Sequence, residues 1–192
     1  DVMTRLDDNG TTIAGAFSCE YNCNFCPKEP GQPRSYLTKE PAVMRARRNR
    51  YDPILQSNDR IGTLYNNGHP IDKIELLVLG GTWSSYDKKY RDDFINKIYY
   101  AANIFFVDKE NIPEMKSIKE ERMNNKTSIC HIIGMTLETR PDKINVDELK
   151  TFRNYGVTRV QLGVQTSHDS ILNRINRKCS NATFLKAAKL LK

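Results

Sequence analysis

The sequence has few cysteines and no long apolar run, and both absences narrow the kinds of protein it can be. Five cysteines in 192 residues are an odd number at low density, which argues against a small secreted scaffold built on disulfides. No stretch approaches the roughly 20 consecutive apolar residues that a membrane-spanning helix requires, and the first residues lack the pattern of a secretory signal. We therefore expect a soluble, cytoplasmic protein that does not associate with membranes.

The length and the charge of the chain set further bounds. With 192 residues, of which 39% are hydrophobic, the chain is long enough for one packed domain of ordinary size. Lysine and arginine outnumber the acidic residues and give a formal net charge of +7. A basic chain favours a polyanionic partner such as nucleic acid, but many basic domains bind none, so charge alone leaves the partner open.

Apolar segments alternate with amphipathic ones along the chain. The predicted strands are residues 12–19, 73–82, 130–140 and 157–166, and the predicted helices are 41 to about 65, 86 to about 102, 118–125, 146–155 and, in pieces, 169 to the end. The second strand nearly lacks polar alternation, which is typical of a strand buried on both faces of a parallel sheet. The βαβα order predicts parallel strands joined by right-handed crossovers, in a doubly wound sheet or a barrel.

Only about four strand-helix units are visible, and a closed barrel requires more strands. We therefore expect a single α/β core domain over residues 1–192 that is incomplete at its C-terminus, a fragment or subdomain with residues 12–166 carrying the visible strands.

Three of the cysteines fall within eight residues at the end of the first predicted strand. Cys19, Cys23 and Cys26 form the pattern C-x3-C-x2-C, whereas Cys130 and Cys179 stand apart. Structural zinc sites use four ligands, and no second CxxC pair or neighbouring histidine completes this set. A [4Fe-4S] cluster held by three thiolates leaves one iron free to bind a substrate. The pattern therefore favours a cluster, with an incomplete zinc or other metal loop as the alternative.

This arrangement resembles that of radical S-adenosylmethionine (SAM) enzymes, in which the amino and carboxylate groups of SAM chelate the free iron. A glycine pair follows the second predicted strand, and such a pair lets the backbone approach a ligand closely or simply makes a turn. In its place one strand after the cysteines, Gly80-Gly81-Thr82 is similar to the family's motif for the SAM amino group.

Two later strand ends carry further candidates for SAM binding. Glu138 and Arg140 are two residues apart, so we expect both on one face of the third strand, toward the mouth of the barrel. Their alternative role is an ion pair that caps the strand. Gln165 ends the fourth strand, where its amide could bond the ribose hydroxyls.

The resemblance extends to the catalytic subunit of Elongator, a family of tRNA-uridine-modifying radical SAM acetyltransferases. It rests on four segments in order: "EPAVMRARRNRYDP" (40–53), "NGHPIDKIELLVLGGTWSSYDKKYRDDFI" (67–95), "GMTLETRPD" (134–142) and "YGVTRVQLGVQ" (155–165). The resemblance implies a (βα)6 partial barrel whose [4Fe-4S] cluster cleaves SAM to a 5'-deoxyadenosyl radical. That radical takes hydrogen from the methyl group of acetyl-CoA, and the carbon radical adds to C5 of the wobble uridine.

Two departures qualify this resemblance. The first gap between the cysteines is shorter than in many members of the subfamily, and the half of the protein that binds acetyl-CoA is absent from this chain. Two alternatives therefore stay open: a non-catalytic tRNA-binding module with a structural metal or cluster, and another radical SAM enzyme that modifies tRNA.

A run of arginines on the first predicted helix supplies a candidate tRNA site. Arg45, Arg47, Arg48 and Arg50 have no acidic residue among them, and guanidinium forks match phosphates well. The alternative is a solvated helix face. The resemblance implies the anticodon arm of tRNA as the partner here, and other Elongator-like subunits as partners of the whole protein.

Overall fold

Strands and helices alternate along the chain, which a computed structural model describes over residues 5–6, 12–13, 19–30 and 34–192. In chain order the elements are β1 (Arg5–Leu6), β2 (Thr12–Ile13), α1 (Pro41–Arg48), α2 (Pro53–Asn66), β3 (Lys73–Val78), α3 (Lys88–Ile104), α4 (Ile118–Asn124), β4 (His131–Thr139), α5 (Val146–Tyr155), β5 (Arg159–Leu162), α6 (Asp169–Arg174) and α7 (Asn181–Leu191). Single 3-10 turns occupy Trp83–Ser85, Lys109–Asn111 and Pro141–Lys143.

The larger sheet consists of β3, β4 and β5 in that spatial order, and both pairings are parallel. Val78 at the end of β3 lies opposite Leu137, and Leu162 at the end of β5 lies opposite Thr139. The carboxyl ends of the three strands therefore meet at one edge of the sheet, where ligands bind in parallel α/β folds. This architecture confirms the predicted α/β partial barrel.

The first predicted strand does not extend this sheet in the part of the chain that is described. Instead, Thr12–Ile13 pairs with Arg5–Leu6 as a separate antiparallel ladder. Five residues separate the two strands, and a connection that short suits antiparallel pairing, since a parallel partner requires a long crossover. Residues 14–18, which belong to the same predicted strand, lie outside the described residues.

The prediction that β3 is buried on both faces was wrong. Val78 is 6% exposed and belongs to the main core, but Leu77 is 51% exposed and Leu79, just beyond the strand, is 43% exposed. Helices and the core pack on the Val78 side, while the described residues leave the Leu77 side uncovered. An apolar run thus marked the strand correctly without deciding which of its faces is covered.

The prediction of one helix from residue 41 to about 65 was also wrong, because the chain breaks between α1 and α2. Arg50 and Tyr51 adopt positive φ values of 53° and 57°, which end the first helix. Pro53 then begins α2, and the Asp52 side chain accepts a hydrogen bond from the Leu55 amide at 2.8 Å. Proline fits the first turn of a helix but not its interior, so the second helix begins there.

Helix α5 confirms its predicted bounds. The Asn145 side chain accepts a hydrogen bond from the Glu148 amide at 2.9 Å, and Gly156 ends the helix with φ 84°. Asparagine at the N-cap and glycine in the left-handed region are the residue types that these two positions favour. The predicted segment after residue 169 forms α6 and α7.

The main core lies between β3, β4 and the helices α3 and α5. Its buried members include Trp83, Phe94, Ile95, Met135, Leu137, Phe152 and Tyr155. This packing fixes the positions of the strand ends and hence of the loops that follow them. Across the described part of the chain, no helix combines the length and apolar character needed to cross a membrane.

Candidate functional site

The three clustered cysteines lie on the segment 19–30. Cys23 is buried, whereas Cys19 and Cys26 are half-buried, and all three are free thiols. The Cys26 amide donates to the Cys23 carbonyl at 3.3 Å, which turns the loop, and the Ser35 hydroxyl donates to Cys26 Sγ at 3.3 Å. The loop therefore holds its thiols on a defined backbone turn.

The donor set suits an iron-sulfur cluster. Within the described residues, no three His, Cys, Asp or Glu side chains are grouped around a single ion position. The ligands of a four-iron cluster bind separate irons, so they need not converge on one point. Three free thiols on one turn supply the ligand types and the number that a three-cysteine cluster requires.

The loop after β3 reaches the first cysteine. Thr82 is buried, and its Oγ1 lies 3.7 Å from Cys19 Sγ. The Gly80 amide donates to Glu138 Oε2 at 3.2 Å, which links the end of β3 to the end of β4. The tertiary structure thus brings together Cys19, the glycine loop and Glu138, and the predicted role of these residues in SAM binding stays a prediction.

The backbone conformation and a neighbouring tyrosine both favour glycine at these two positions. Gly80 and Gly81 have φ values of 99° and 57°, and a Cβ added to Gly81 would lie 2.7 Å from the Tyr36 hydroxyl oxygen. The Tyr36 and Tyr86 hydroxyls share a hydrogen bond of 2.9 Å, and burial raises the pKa of both tyrosines. The predicted approach of SAM to these glycines stays a prediction, since their positive φ values and the contacts with Tyr36 already favour glycine at both positions.

Arg140 lies beneath the cysteine loop and is 2% exposed. Its Nε donates to Asp142 Oδ1 at 2.8 Å, one terminal nitrogen donates to the Arg177 carbonyl at 2.8 Å, and the other lies 3.7 Å from Cys23 Sγ. Its ion-pair partner is therefore Asp142, and among the described residues no ion pair joins it to Glu138. These contacts direct Arg140 toward the cysteine loop.

Tyr21 anchors the same loop to the turn after β4. The Arg140 guanidinium carbon lies 3.4 Å from the centre of the Tyr21 ring, and the Tyr21 hydroxyl donates to Asp142 Oδ2 at 2.6 Å. Burial by itself would raise the pKa of Asp142, but hydrogen bonds from Tyr21 and Arg140 outweigh it and hold this pKa below its usual value. Lys143 adds an ion pair with Glu20.

The connector between α6 and α7 also holds the cysteine loop, and the sequence analysis missed it. The Asn24 amide donates to the Ile175 carbonyl at 2.9 Å, and the Asn176 side chain donates to the Asn22 carbonyl at 2.6 Å. Asn176 has a positive φ of 54°. The hydrogen bond between Asn176 and Asn22 joins residues that are 154 positions apart, so no local sequence pattern predicts it.

Arg177 is a second buried arginine that sequence analysis missed. It is 6% exposed, and one terminal nitrogen lies 3.8 Å from Cys23 Sγ while the other donates to the Gly163 carbonyl. Its Nε is buried and has no hydrogen-bond partner among the described residues. The guanidinium groups of Arg140 and Arg177 therefore both lie close to Cys23 Sγ, at 3.7 and 3.8 Å.

Gln165 occupies a loop rather than the predicted strand end. The strand β5 ends at Leu162, three residues before Gln165. The Gln165 side chain is exposed, and its backbone has φ 74°. Its predicted contact with ribose stays a prediction.

The arginine run occupies the exposed side of α1. Arg45, Arg47 and Arg48 belong to the helix and Arg50 follows its C-cap, and all four side chains are exposed. Across the described ranges, none of the four forms an ion pair with a carboxylate. Arginines in the last turn also favour the negative end of the helix dipole, so their position suits either a phosphate contact or a stabilised helix end.

Comparison with known proteins decides the family. A model of the Radical SAM superfamily matches residues 16–192. The chain belongs to the Radical SAM superfamily. This superfamily consists of enzymes, and membership implies SAM and a [4Fe-4S] cluster. The predicted family and the predicted enzyme class are thereby confirmed.

Relatives within the superfamily narrow the assignment. The "tRNA uridine(34) acetyltransferase" of Methanocaldococcus jannaschii is 38% identical over 175 residues, which cover 88% of this chain and 31% of that relative. "Elongator complex protein 3" is 36% identical in Saccharomyces cerevisiae, over 81% of this chain and 27% of the relative, and 37% identical in Homo sapiens, over 81% and 28%. This radical SAM chain therefore spans about a third of the length of the curated relatives it matches.

A solved structure agrees with the fold. The archaeal Methanocaldococcus infernus Elp3 superposes with a TM-score of 0.67 at 35% sequence identity, covering 78% of this chain and 32% of the Elp3 chain. The three parallel strands and their helices therefore match part of a radical SAM barrel.

Proposed function

We propose that this chain is the radical SAM domain of an enzyme that modifies the wobble uridine of tRNA. In this proposal the domain initiates an acetyl-CoA-dependent carboxymethylation at C5 of that base. The observation that carries the proposal is the seating of the cysteine loop on the carboxyl edge of the parallel sheet. There Cys19 meets Thr82 of the loop after β3, and Cys23 meets Arg140 after β4.

The three cysteines are the proposed ligands of the cluster. Cys19, Cys23 and Cys26 would supply one thiolate each, and Ser35 would donate a hydrogen bond to the Cys26 sulfur. When bound, such a cluster supplies one electron for the reductive cleavage of SAM. The protein's own contribution is to hold the loop through Tyr21, on the turn after β4.

The ends of β3 and β4 are the proposed site for SAM. The loop of Gly80, Gly81 and Thr82 reaches Cys19 through the Thr82 hydroxyl, and its backbone carbonyls would accept hydrogen bonds from the SAM ammonium group. Glu138 holds this loop through the Gly80 amide. Gln165, in the loop after β5, is the proposed partner of the ribose hydroxyls.

The arginine run is the proposed contact for the anticodon arm of tRNA. Its members, Arg45, Arg47, Arg48 and Arg50, are exposed and without carboxylate partners among the described residues. Contacts of this type bind the phosphate backbone and do not read sequence. The names of the relatives, which specify tRNA uridine 34 and the Elongator complex, support tRNA as substrate and other subunits as partners of the whole protein.

Anaerobic reconstitution with iron and sulfide tests the proposal. We expect about four iron per chain, a broad visible absorbance, and 5'-deoxyadenosine formed from SAM when a strong one-electron reductant is present. Cys19→Ala, Cys23→Ala and Cys26→Ala should each lose the cluster and the cleavage. Cys179→Ala is the matched control, because this thiol is also half-buried and free but lies on another segment.

Other outcomes assign the chain differently. One zinc per chain, with no cleavage of SAM, would support a tRNA-binding module with a structural metal instead. Cleavage of SAM by a complete protein that leaves uridine 34 unmodified would support a radical SAM enzyme acting on another position of tRNA.

A further inference from the structure

Two buried guanidiniums contact the same cysteine sulfur, and only one of them has a carboxylate partner. Arg140 is 2% exposed and pairs with Asp142, whereas Arg177 is 6% exposed and has no ion-pair partner among the described residues. Burying a cation without a counter-ion costs free energy. For this reason, removing one partner of a buried ion pair strongly destabilises a protein. Among the described residues, the pair thus leaves one positive charge next to Cys23 without a carboxylate partner.

The orientation of Arg177 indicates where the missing negative charge belongs. One terminal nitrogen lies 3.8 Å from Cys23 Sγ and the other donates to the Gly163 carbonyl. The Nε hydrogen is buried and has no acceptor in the described part of the chain. A buried donor that lacks an acceptor among the described residues points to a group that these residues do not supply.

The side of Arg177 away from Gly163 faces the cysteine loop, where the Phe25 ring centre lies 6.0 Å from its guanidinium carbon. Arg140 approaches Cys23 Sγ to 3.7 Å. Both guanidiniums are held in place, Arg140 by Asp142 and by the Arg177 carbonyl, and Arg177 by Gly163. They therefore present fixed donors and fixed charge to one ligand position.

We propose that Arg140 and Arg177 raise the reduction potential of the cluster by donating N–H···S hydrogen bonds and positive charge to its Cys23 ligand. This inference rests on the proposed function, since it requires the cluster at Cys19, Cys23 and Cys26. Reduction adds one electron and no proton, so the reduced cluster carries one more negative charge. Nearby cations and hydrogen bonds to the sulfurs stabilise that form relative to the oxidised one.

Both arginines are positioning residues in this proposal, because they act through the Cys23 sulfur. Their role differs from SAM binding, which the sequence suggested for Arg140. A contact with SAM would change the affinity for SAM, whereas a contact with the ligand sulfur changes the potential when no SAM is present.

The test is a redox titration of the reconstituted protein without SAM, followed by EPR of the reduced cluster. At a fixed applied potential, Arg177→Gln should lower the ratio of reduced to oxidised cluster at least tenfold, equivalent to a midpoint lower by about 59 mV for a one-electron couple. Arg177→Lys keeps the charge and should recover part of this shift. Arg159→Gln is the matched control, since Arg159 is exposed at the opposite, amino end of β5.

Iron content separates failure of this inference from failure of the proposed function. If the wild type holds no cluster, both are overturned. Equal iron in the wild type and Arg177→Gln, with midpoint potentials that differ by no more than the shift caused by Arg159→Gln, would overturn the inference alone.

A measurement on the wild type decides the case in which Arg177→Gln loses its iron. Protein grown with nitrogen-15 arginine should show a nitrogen-15 hyperfine coupling to the reduced cluster, because guanidinium N–H groups contact the Cys23 sulfur. Absence of that coupling would overturn the contact whatever the variants do.

Discussion

A Cβ atom added to Gly81 would lie 2.7 Å from the hydroxyl oxygen of Tyr36, so the loop after β3 has no room for a side chain at this position. The buried Tyr36 hydroxyl is held there by its hydrogen bond to Tyr86. The glycine that the sequence associated with a cofactor is thus also a packing requirement of the protein.

Substitution of Gly81 should therefore lower the free energy of unfolding by more than the strain of its backbone conformation alone predicts. We expect Gly81→Ala to lower the free energy of unfolding by more than the roughly 1–2 kcal/mol of left-handed strain, as measured by urea denaturation. Gly68→Ala is the control, because Gly68 has φ 79° and no atom within 4 Å of an added Cβ. In a Tyr36→Phe background the Gly81→Ala cost should fall toward that of Gly68→Ala, and equal costs in both backgrounds would contradict the packing explanation.

Two hydrogen bonds, from the Asn24 amide to the Ile175 carbonyl and from the Asn176 side chain to the Asn22 carbonyl, form a clamp that should be needed to order the cysteine loop. Asp tolerates the positive φ of Asn176, but Asn176→Asp replaces the donor to the Asn22 carbonyl by an oxygen. The net contribution of such a hydrogen bond is about 0.5–1.5 kcal/mol, and a carboxylate facing the Asn22 carbonyl replaces that attraction by repulsion. We expect faster proteolysis within residues 19–30 and faster loss of iron. Asn124→Asp, on the exposed end of α4, should change neither, and protection equal to the wild type in Asn176→Asp would disprove the clamp.

The isolated cysteine of the core should matter for stability but not for iron. Cys130 is 0% exposed and packs with Ile61, Ile71 and Ala102. Burial is the main reason that its pKa is raised, which keeps the thiol protonated and unreactive. We expect Cys130→Ala to lower the free energy of unfolding by about 1 kcal/mol and to leave iron content unchanged. A loss of iron in this variant would show that Cys130 takes part in the site.

The arginine run should govern the salt dependence of tRNA binding. Removing one arginine that binds a phosphate should reduce the slope of log affinity against log salt by about one. We therefore expect Arg47→Glu with Arg48→Glu to weaken all tRNAs alike and to leave iron content unchanged. Lys186→Glu with Lys189→Glu makes the same change of charge at exposed positions of α7. Indistinguishable slopes for the two double variants would mean that the run is only a solvated helix end.

Local patterns in the sequence determined several elements, and they carry the prediction of the three-cysteine ligand set. The caps of α5, at Asn145 and Gly156, depend on residues within one turn of each helix end, so its bounds followed from the sequence alone. The spacing of Cys19, Cys23 and Cys26 likewise fits within one loop. These features are local because the hydrogen bonds and ligands that define them involve neighbouring residues.

Only the tertiary structure decided what surrounds those elements. One face of β3 is exposed although it carries the apolar Leu77, because burial depends on which elements cover a strand and not on the residues of the strand alone. The tertiary structure directed Arg140 to Cys23 and Asp142 instead of Glu138. It also brought Arg177 to the same sulfur across 154 positions. Contacts between distant segments follow from the packing of the whole chain, and no spacing along the sequence encodes them.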